Sequence, residues 1–143
     1  INGIRQISRN LHPVMLDKIG LGLSLETLCE QFMQHETMYV SHDIEYQNTL
    51  PKSAELQLFR IVQEGLTNAM KYSKAEAVKV QIKSSGNALR LEIQDNGKGF
   101  DVEKALECGK AFGLHSILQR AKAIGGKAEI KSSEGGTAIR VMV

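Results

Sequence analysis

Residues 78–101 read VKVQIKSSGNALRLEIQDNGKGFD. Val78, Val80 and Ile82 alternate with Lys79, Gln81 and Lys83, and beyond Ser85-Gly86-Asn87 the residues Leu89, Leu91 and Ile93 alternate with Arg90, Glu92 and Gln94. A period of two places each apolar set on one face of a sheet, so the pattern predicts an antiparallel hairpin with one buried and one wet face. The second strand runs straight into Asp95-Asn96-Gly97-Lys98-Gly99-Phe100-Asp101. Asp-Asn-Gly alone is a tight-turn signal. From Gly97 to Gly113, however, the apolar period lapses and Gly97, Gly99, Gly109 and Gly113 follow one another with Lys110 among them. A stretch of that length without a marked element is, in a compact domain, a functional loop or a disordered one.

Working outward, Pro51, Lys52 and Ser53 open a helix whose stripe is Leu56, Phe59, Val62, Leu66 and Ala69 or Met70, running to about Tyr72. Arg60, Glu64, Asn68 and Lys71 share its polar face, either as a solvated surface or as a site. Downstream, Leu114, Ile117, Leu118, Ala121 and Ile124 predict a helix stopped by Gly125-Gly126. Ala128 and Ile130, then Thr137, Ile139, Val141 and Val143, predict a closing hairpin across Ser132 to Gly136. Upstream, residues 38–47 alternate weakly as a strand, Leu23, Leu25, Leu28, Phe32 and Met33 predict a helix ending near Glu36, and Ile4, Ile7 and Leu11 form a helical stripe that meets Pro13. The sum is an α+β fold: a two-layer sandwich in which helices cover one face of a mixed, mostly antiparallel sheet.

Composition narrows the function. The 143 residues, 42% hydrophobic and 24% charged, suit one compact domain, and a net charge of +2 is too balanced to suggest a nucleic-acid partner. Cys29 and Cys108 form no CxxC pair, which favours a reducing, cytoplasmic setting, and Cys29 falls on an apolar helix face as a small core residue. No apolar run approaches the roughly 20 residues of a membrane span, and a start at Ile1 suggests a piece of a longer protein. His35-Glu36 opens an H-E-x-x-H motif, but Tyr39 stands where the second zinc ligand belongs. A phosphate-binding G-x-x-x-x-G-K-[ST] loop and a G-x-S-x-G elbow are both absent.

The stretch Ile61–Ser73, IVQEGLTNAMKYS, resembles the asparagine box of bacterial sensor histidine kinases, and Asp95–Asp101 resembles their first glycine box. Phe112-Gly113-Leu114 and Gly135-Gly136-Thr137 resemble the second glycine region and closing hairpin of the same GHKL-type (Bergerat) ATP-binding fold. Ile7 to Leu21 is similar to the junction between dimerisation helices and ATP domain in the nitrate-sensor subfamily, with His12 in place of an arginine.

The resemblance implies residues 1–20 as the end of a dimerisation helix and its linker, and 21–143 as the ATP-binding catalytic domain with a glycine-rich lid. It implies ATP and Mg²⁺ as cofactors. Asn68 would coordinate Mg²⁺, Glu64 would orient its shell or the reacting groups, and Lys71 would meet the phosphates. Asp95 would accept from the adenine amino group with Thr137 on the same edge, Gly97 and Gly99 would let the lid start close to the nucleotide, and Lys110 would be a lid cation. Gly113 and Leu114 would begin a helix whose N–H groups face phosphate. The γ-phosphoryl would pass to a histidine upstream of Ile1, not to His12, and then to a response regulator, within a homodimeric parent. Tyr72 stands where the subfamily often has histidine. The competing readings are a clamp ATPase of the same superfamily, in which Glu64 would activate water, and a nucleotide-binding module without transfer activity.

Overall fold

The computed structural model describes residues 13–35, 38–47, 50–85, 87–107 and 112–143. In chain order these form α1 (Pro13–His35), β1 (Tyr39–Glu45), α2 (Lys52–Asn68) with a π-helical turn (Ala69–Ser73), β2 (Ala77–Ser85), β3 (Ala88–Asp95), α3 (Val102–Glu107), α4 (Phe112–Ala123), β4 (Lys127–Ser133) and β5 (Gly136–Met142). The expected stripe over 4–12, His12, Cys108 and Lys110 lie outside the described residues.

The strands make one mixed sheet in the order β1-β2-β3-β5-β4. The hairpin is found as expected, with Val78 opposite Asp95 and Ser85 opposite Ala88, and β5 pairs antiparallel with both β3 and β4. β1 runs parallel to β2, Val40 beside Val78. Val78, Val80, Ile82, Leu89, Leu91, Ile93, Ile139 and Val141 are buried on one face. Leu58, Phe59 and Val62 of α2, Ile117 and Ala121 of α4 and Leu25, Leu28 and Phe32 of α1 join them in one core. Each fully buried Val, Leu, Ile or Phe side chain contributes about 1.5–3 kcal/mol. Cys29 lies in that core, where burial and then the charges of Glu26 and Glu30 push its thiol up to about 12.

The other face of the sheet is polar. Glu92 Oε2 accepts from Arg140 Nε at 2.7 Å and Arg90 Nη2 at 3.3 Å. Partial burial pushes the Glu92 carboxyl up, but the two arginines outweigh it and hold the group below the usual carboxylate value.

Three boundaries differ from the sequence reading. Pro13 opens a helix, and that helix continues past Gly22, broken at Gly20 by φ 82° and ψ 170°, angles that glycine adopts without steric cost. The α-helical bonding of α2 stops at Asn68 and gives way to the π turn. The expected element-free stretch contains α3, started by Asp101 Oδ1 accepting from Lys104 N at 3.1 Å. None of its side chains is buried, so it leaves no apolar period to read.

At the entrance to α2, Tyr46 Oη donates to the buried Glu55 Oε2 at 2.7 Å and accepts from Leu50 N at 3.1 Å. Burial and then the bond to Glu55 push the phenol up to about 12. Tyr46→Phe leaves both groups short of a partner and is expected to cost about 1–3 kcal/mol. An unchanged urea midpoint would show the clip to be idle.

Candidate functional site

Two clusters form where α2, the β3 end, the β4–β5 hairpin and the α4 start converge. The first surrounds Asp95, which pairs with Val78 as the last residue of β3 and is only 9% exposed. Its Oδ1 accepts from Ser73 Oγ at 2.8 Å, Gly97 N at 2.9 Å and Thr137 N at 3.1 Å. No described partner takes Oδ2. A carboxylate with one oxygen saturated by fixed donors offers its other oxygen as an oriented acceptor.

Glycines make that convergence possible. A Cβ on Gly97 would overlap the carbonyl and hydroxyl of Ser73, and one on Gly136 would overlap the Asp95 carbonyl. Gly99 turns at φ 72° against the Ser133 carbonyl. Ser73 also accepts Gly99 N at its hydroxyl (3.3 Å) and Lys98 N at its carbonyl (2.9 Å). The π turn delivers Ser73 to this position, where Lys74 at φ 52° redirects the chain and Ala75 N closes onto the Ala69 carbonyl. Ser132 Oγ accepts from Phe100 N at 2.8 Å and shares a bond with Thr137 Oγ1 at 2.7 Å.

The second cluster is Glu64, Asn68 and Gly113. A Cβ on Gly113 would stand 2.8 Å from Glu64 Oε2 and 3.2 Å from Asn68 Oδ1. The start of α4 is thus seated on the polar face of α2, and Asn68, 4% exposed, carries an amide nitrogen without a hydrogen-bond partner among the described residues. A solvated face would show neither burial nor an orphaned amide. α4 is tied to α2 by Arg120, which donates to Gln57 Oε1 at 2.7 Å, and to α3 by His115 Nε2, 3.0 Å from the Leu106 carbonyl.

The structure therefore gathers Asp95, Gly97, Gly99 and Thr137 into one cluster and Glu64, Asn68 and Gly113 into the other. Leu114 is buried beside Gly113 at the start of α4. Lys71 is exposed on the π turn and bonded to neither cluster among the described residues. The sequence assigns no site role to Ser73 or Ser132, because a lone serine at a helix end or hairpin carries no periodic signal. A depression of about 410 Å³ opens beside Asp95, lined by Gln94, Lys131, Ser133, Gly135 and Thr137 among others.

Residues 53–143 match the family described as histidine kinase-, DNA gyrase B-, and HSP90-like ATPase. Over 143 residues the chain is 39% identical to the sensor histidine kinase LiaS of Bacillus subtilis, an overlap of 99% of this chain and 39% of LiaS. It is 33% identical over 136 residues to the sensor histidine kinase ComP of the same organism, covering 94% of this chain and 18% of ComP. Among solved structures, the histidine kinase domain of the Erythrobacter litoralis EL346 blue-light activated histidine kinase superposes with a TM-score of 0.75 at 18% identity, over 86% of this chain and 60% of that one. The mycobacterial sensor histidine kinase MprB gives a TM-score of 0.63 at 21% identity, over 86% of this chain and 90% of that one. The structural likenesses carry the fold; the chain spans about two-fifths of LiaS and less of ComP.

Proposed function

Because the chain belongs to the histidine kinase-, DNA gyrase B-, and HSP90-like ATPase family, we propose that it is the ATP-binding catalytic domain of a sensor histidine kinase, handing the γ-phosphoryl of ATP to a histidine outside these residues. The observation that carries this reading is Asp95, with Oδ1 held by three donors and Oδ2 left to accept. Such an acceptor matches the amino group of adenine. Thr137 N, which holds Asp95, makes the hairpin part of the same edge.

Glu64 and Asn68 supply oxygen donors of the kind Mg²⁺ prefers, converging where a Cβ on Gly113 would sit. Among the described residues no group of three or more His, Cys, Asp or Glu could hold a metal. One carboxylate and one amide suit an ion that takes much of its shell from phosphate and water. When bound, Mg²⁺ neutralises charge on the phosphates. Asn68 would hold the ion, Glu64 would orient its shell, and the N–H groups of Gly113 and Leu114 at the start of α4 would face the phosphates. Lys71, exposed and uncommitted, would reach them as a point charge.

On this reading residues 1–20 connect the domain to a dimerisation and phospho-acceptor helix in a homodimeric parent, and a response regulator receives the phosphoryl. No described helix is long and apolar enough to cross a membrane, and we place the domain in the cytoplasm. Calorimetric titration of Mg²⁺–ATP into the 143-residue chain is expected to give saturable binding with negligible ADP formation. In Asn68→Ala the gain in affinity that Mg²⁺ brings falls by roughly 10–100-fold. Rapid hydrolysis by the parent chain would move the assignment to the clamp ATPases, and no binding would leave a module that only positions partners. An unchanged Mg²⁺ titration in the variant would remove Asn68 from the metal.

A further inference from the structure

The bonds of Ser73 join parts of the chain that the nucleotide reading treats separately. The residue is fully buried at the end of the helix that carries Asn68. Its hydroxyl has one proton, which it donates to Asp95 Oδ1 at 2.8 Å. The lone pairs are then left for Gly99 N at 3.3 Å, at the start of the glycine loop. Of the three donors on Oδ1, Gly97 N and Thr137 N are main-chain groups, and Ser73 Oγ is the side chain among them. The terminal torsion of an aspartate is broad and nearly two-fold, so two donors leave the carboxylate free to rock or exchange its oxygens. A third donor arriving from the helix layer fixes the plane.

Resting on the nucleotide reading above, we propose that Ser73 is a positioning residue that sets base specificity: its hydroxyl locks Asp95 so that Oδ2 alone meets the C6 substituent of the purine. An amino group at C6 donates to that oxygen, whereas a C6 carbonyl opposes it acceptor to acceptor. Ser73 touches neither base nor phosphate and acts through the orientation of Asp95. Its contribution therefore resides in the difference between purines and not in the general affinity for nucleoside triphosphates.

ATP and inosine triphosphate differ at this substituent, and the test compares their Mg²⁺-dependent binding by calorimetry to the parent chain, Ser73→Ala and Ser73→Cys. The parent chain prefers ATP. In Ser73→Ala the ATP-to-inosine triphosphate ratio falls by about 10-fold, the equivalent of one hydrogen bond to a charged group. The loss is in ATP, and inosine triphosphate changes by less than about two-fold. Ser73→Cys, which fills the same place with a weaker donor, gives a smaller fall and carries the same comparison if the alanine variant does not fold. Equal weakening of both nucleotides would reduce Ser73 to general support of the loop and overturn the proposal, as would an unchanged ratio. A parent chain that binds neither nucleotide would overturn the nucleotide reading itself and this inference with it.

Discussion

Asp95→Asn binds ATP roughly 10–150-fold more weakly than the parent chain, as expected for a lost hydrogen bond to a charged group worth about 1.5–3 kcal/mol, while its unfolding midpoint moves little. The asymmetry follows from the three donors on Oδ1. An asparagine keeps them only by placing its carbonyl oxygen there, since its NH₂ cannot accept from Ser73, Gly97 or Thr137. The NH₂ then occupies the place of Oδ2 and meets the purine amino group donor to donor. The substitution thus reverses the recognising atom and retains the supporting one. Calorimetry and a urea titration on the same preparation separate the two effects. Equal ATP affinity in variant and parent would remove Asp95 from base recognition. A collapsed midpoint would show that the charge, and not the acceptor geometry, holds the strand end together.

Gly97→Ala is expected to lose about 3 kcal/mol of stability together with ATP binding, because the new methyl group overpacks a site walled by backbone. The obstruction is the carbonyl and hydroxyl of Ser73, a residue that is itself fully buried. To relieve it, the chain must give up Gly97 N to Asp95, Lys98 N to the Ser73 carbonyl or Gly99 N to the Ser73 hydroxyl. Gly135→Ala is the control: among the described residues its Cβ would find only Ser133 Oγ, at 3.9 Å, and it should stay within about 0.5 kcal/mol of the parent. Urea midpoints of the two variants decide the matter. A Gly97→Ala midpoint equal to that of Gly135→Ala would mean that the loop relaxes without cost and that Gly97 is a turn residue only.

The parts of the molecule legible in the sequence are those in which side chains repeat. The period of two from Val78 to Ile93 marked the hairpin, and the stripe from Leu56 to Leu66 marked α2, because burial of alternate or every third to fourth residue imposes those spacings. The parallel pairing of β1 with β2 left no such mark, since nothing in Tyr39–Glu45 encodes the direction of a neighbour. At the site, the spacing of Glu64 and Asn68 showed that they share a helix face, but not that Gly113 covers them. That contact joins distant parts of the chain through a residue without a side chain. The support of Asp95 was hidden for a related reason: two of its three donors are main-chain N–H groups, which every residue but proline carries. The third, Ser73, lies in a π turn, where the helical period that guides such a reading changes.

The seating of Gly113 on Glu64 and Asn68 has a kinetic consequence. A gap that a single methyl group would fill cannot admit a triphosphate, so on the proposed reading the start of α4 must lift before the phosphates and their ion take its place. Nucleotide capture is then gated, with an association rate bounded by the opening of α4 and an apparent affinity equal to the intrinsic one scaled by the open fraction. On that reading the ties from Arg120 to Gln57 and from His115 to Leu106, with the burial of Leu114, Ile117 and Ala121, oppose the opening. On the proposed reading, residues remote from the nucleotide would thereby bear on how often the domain is loaded.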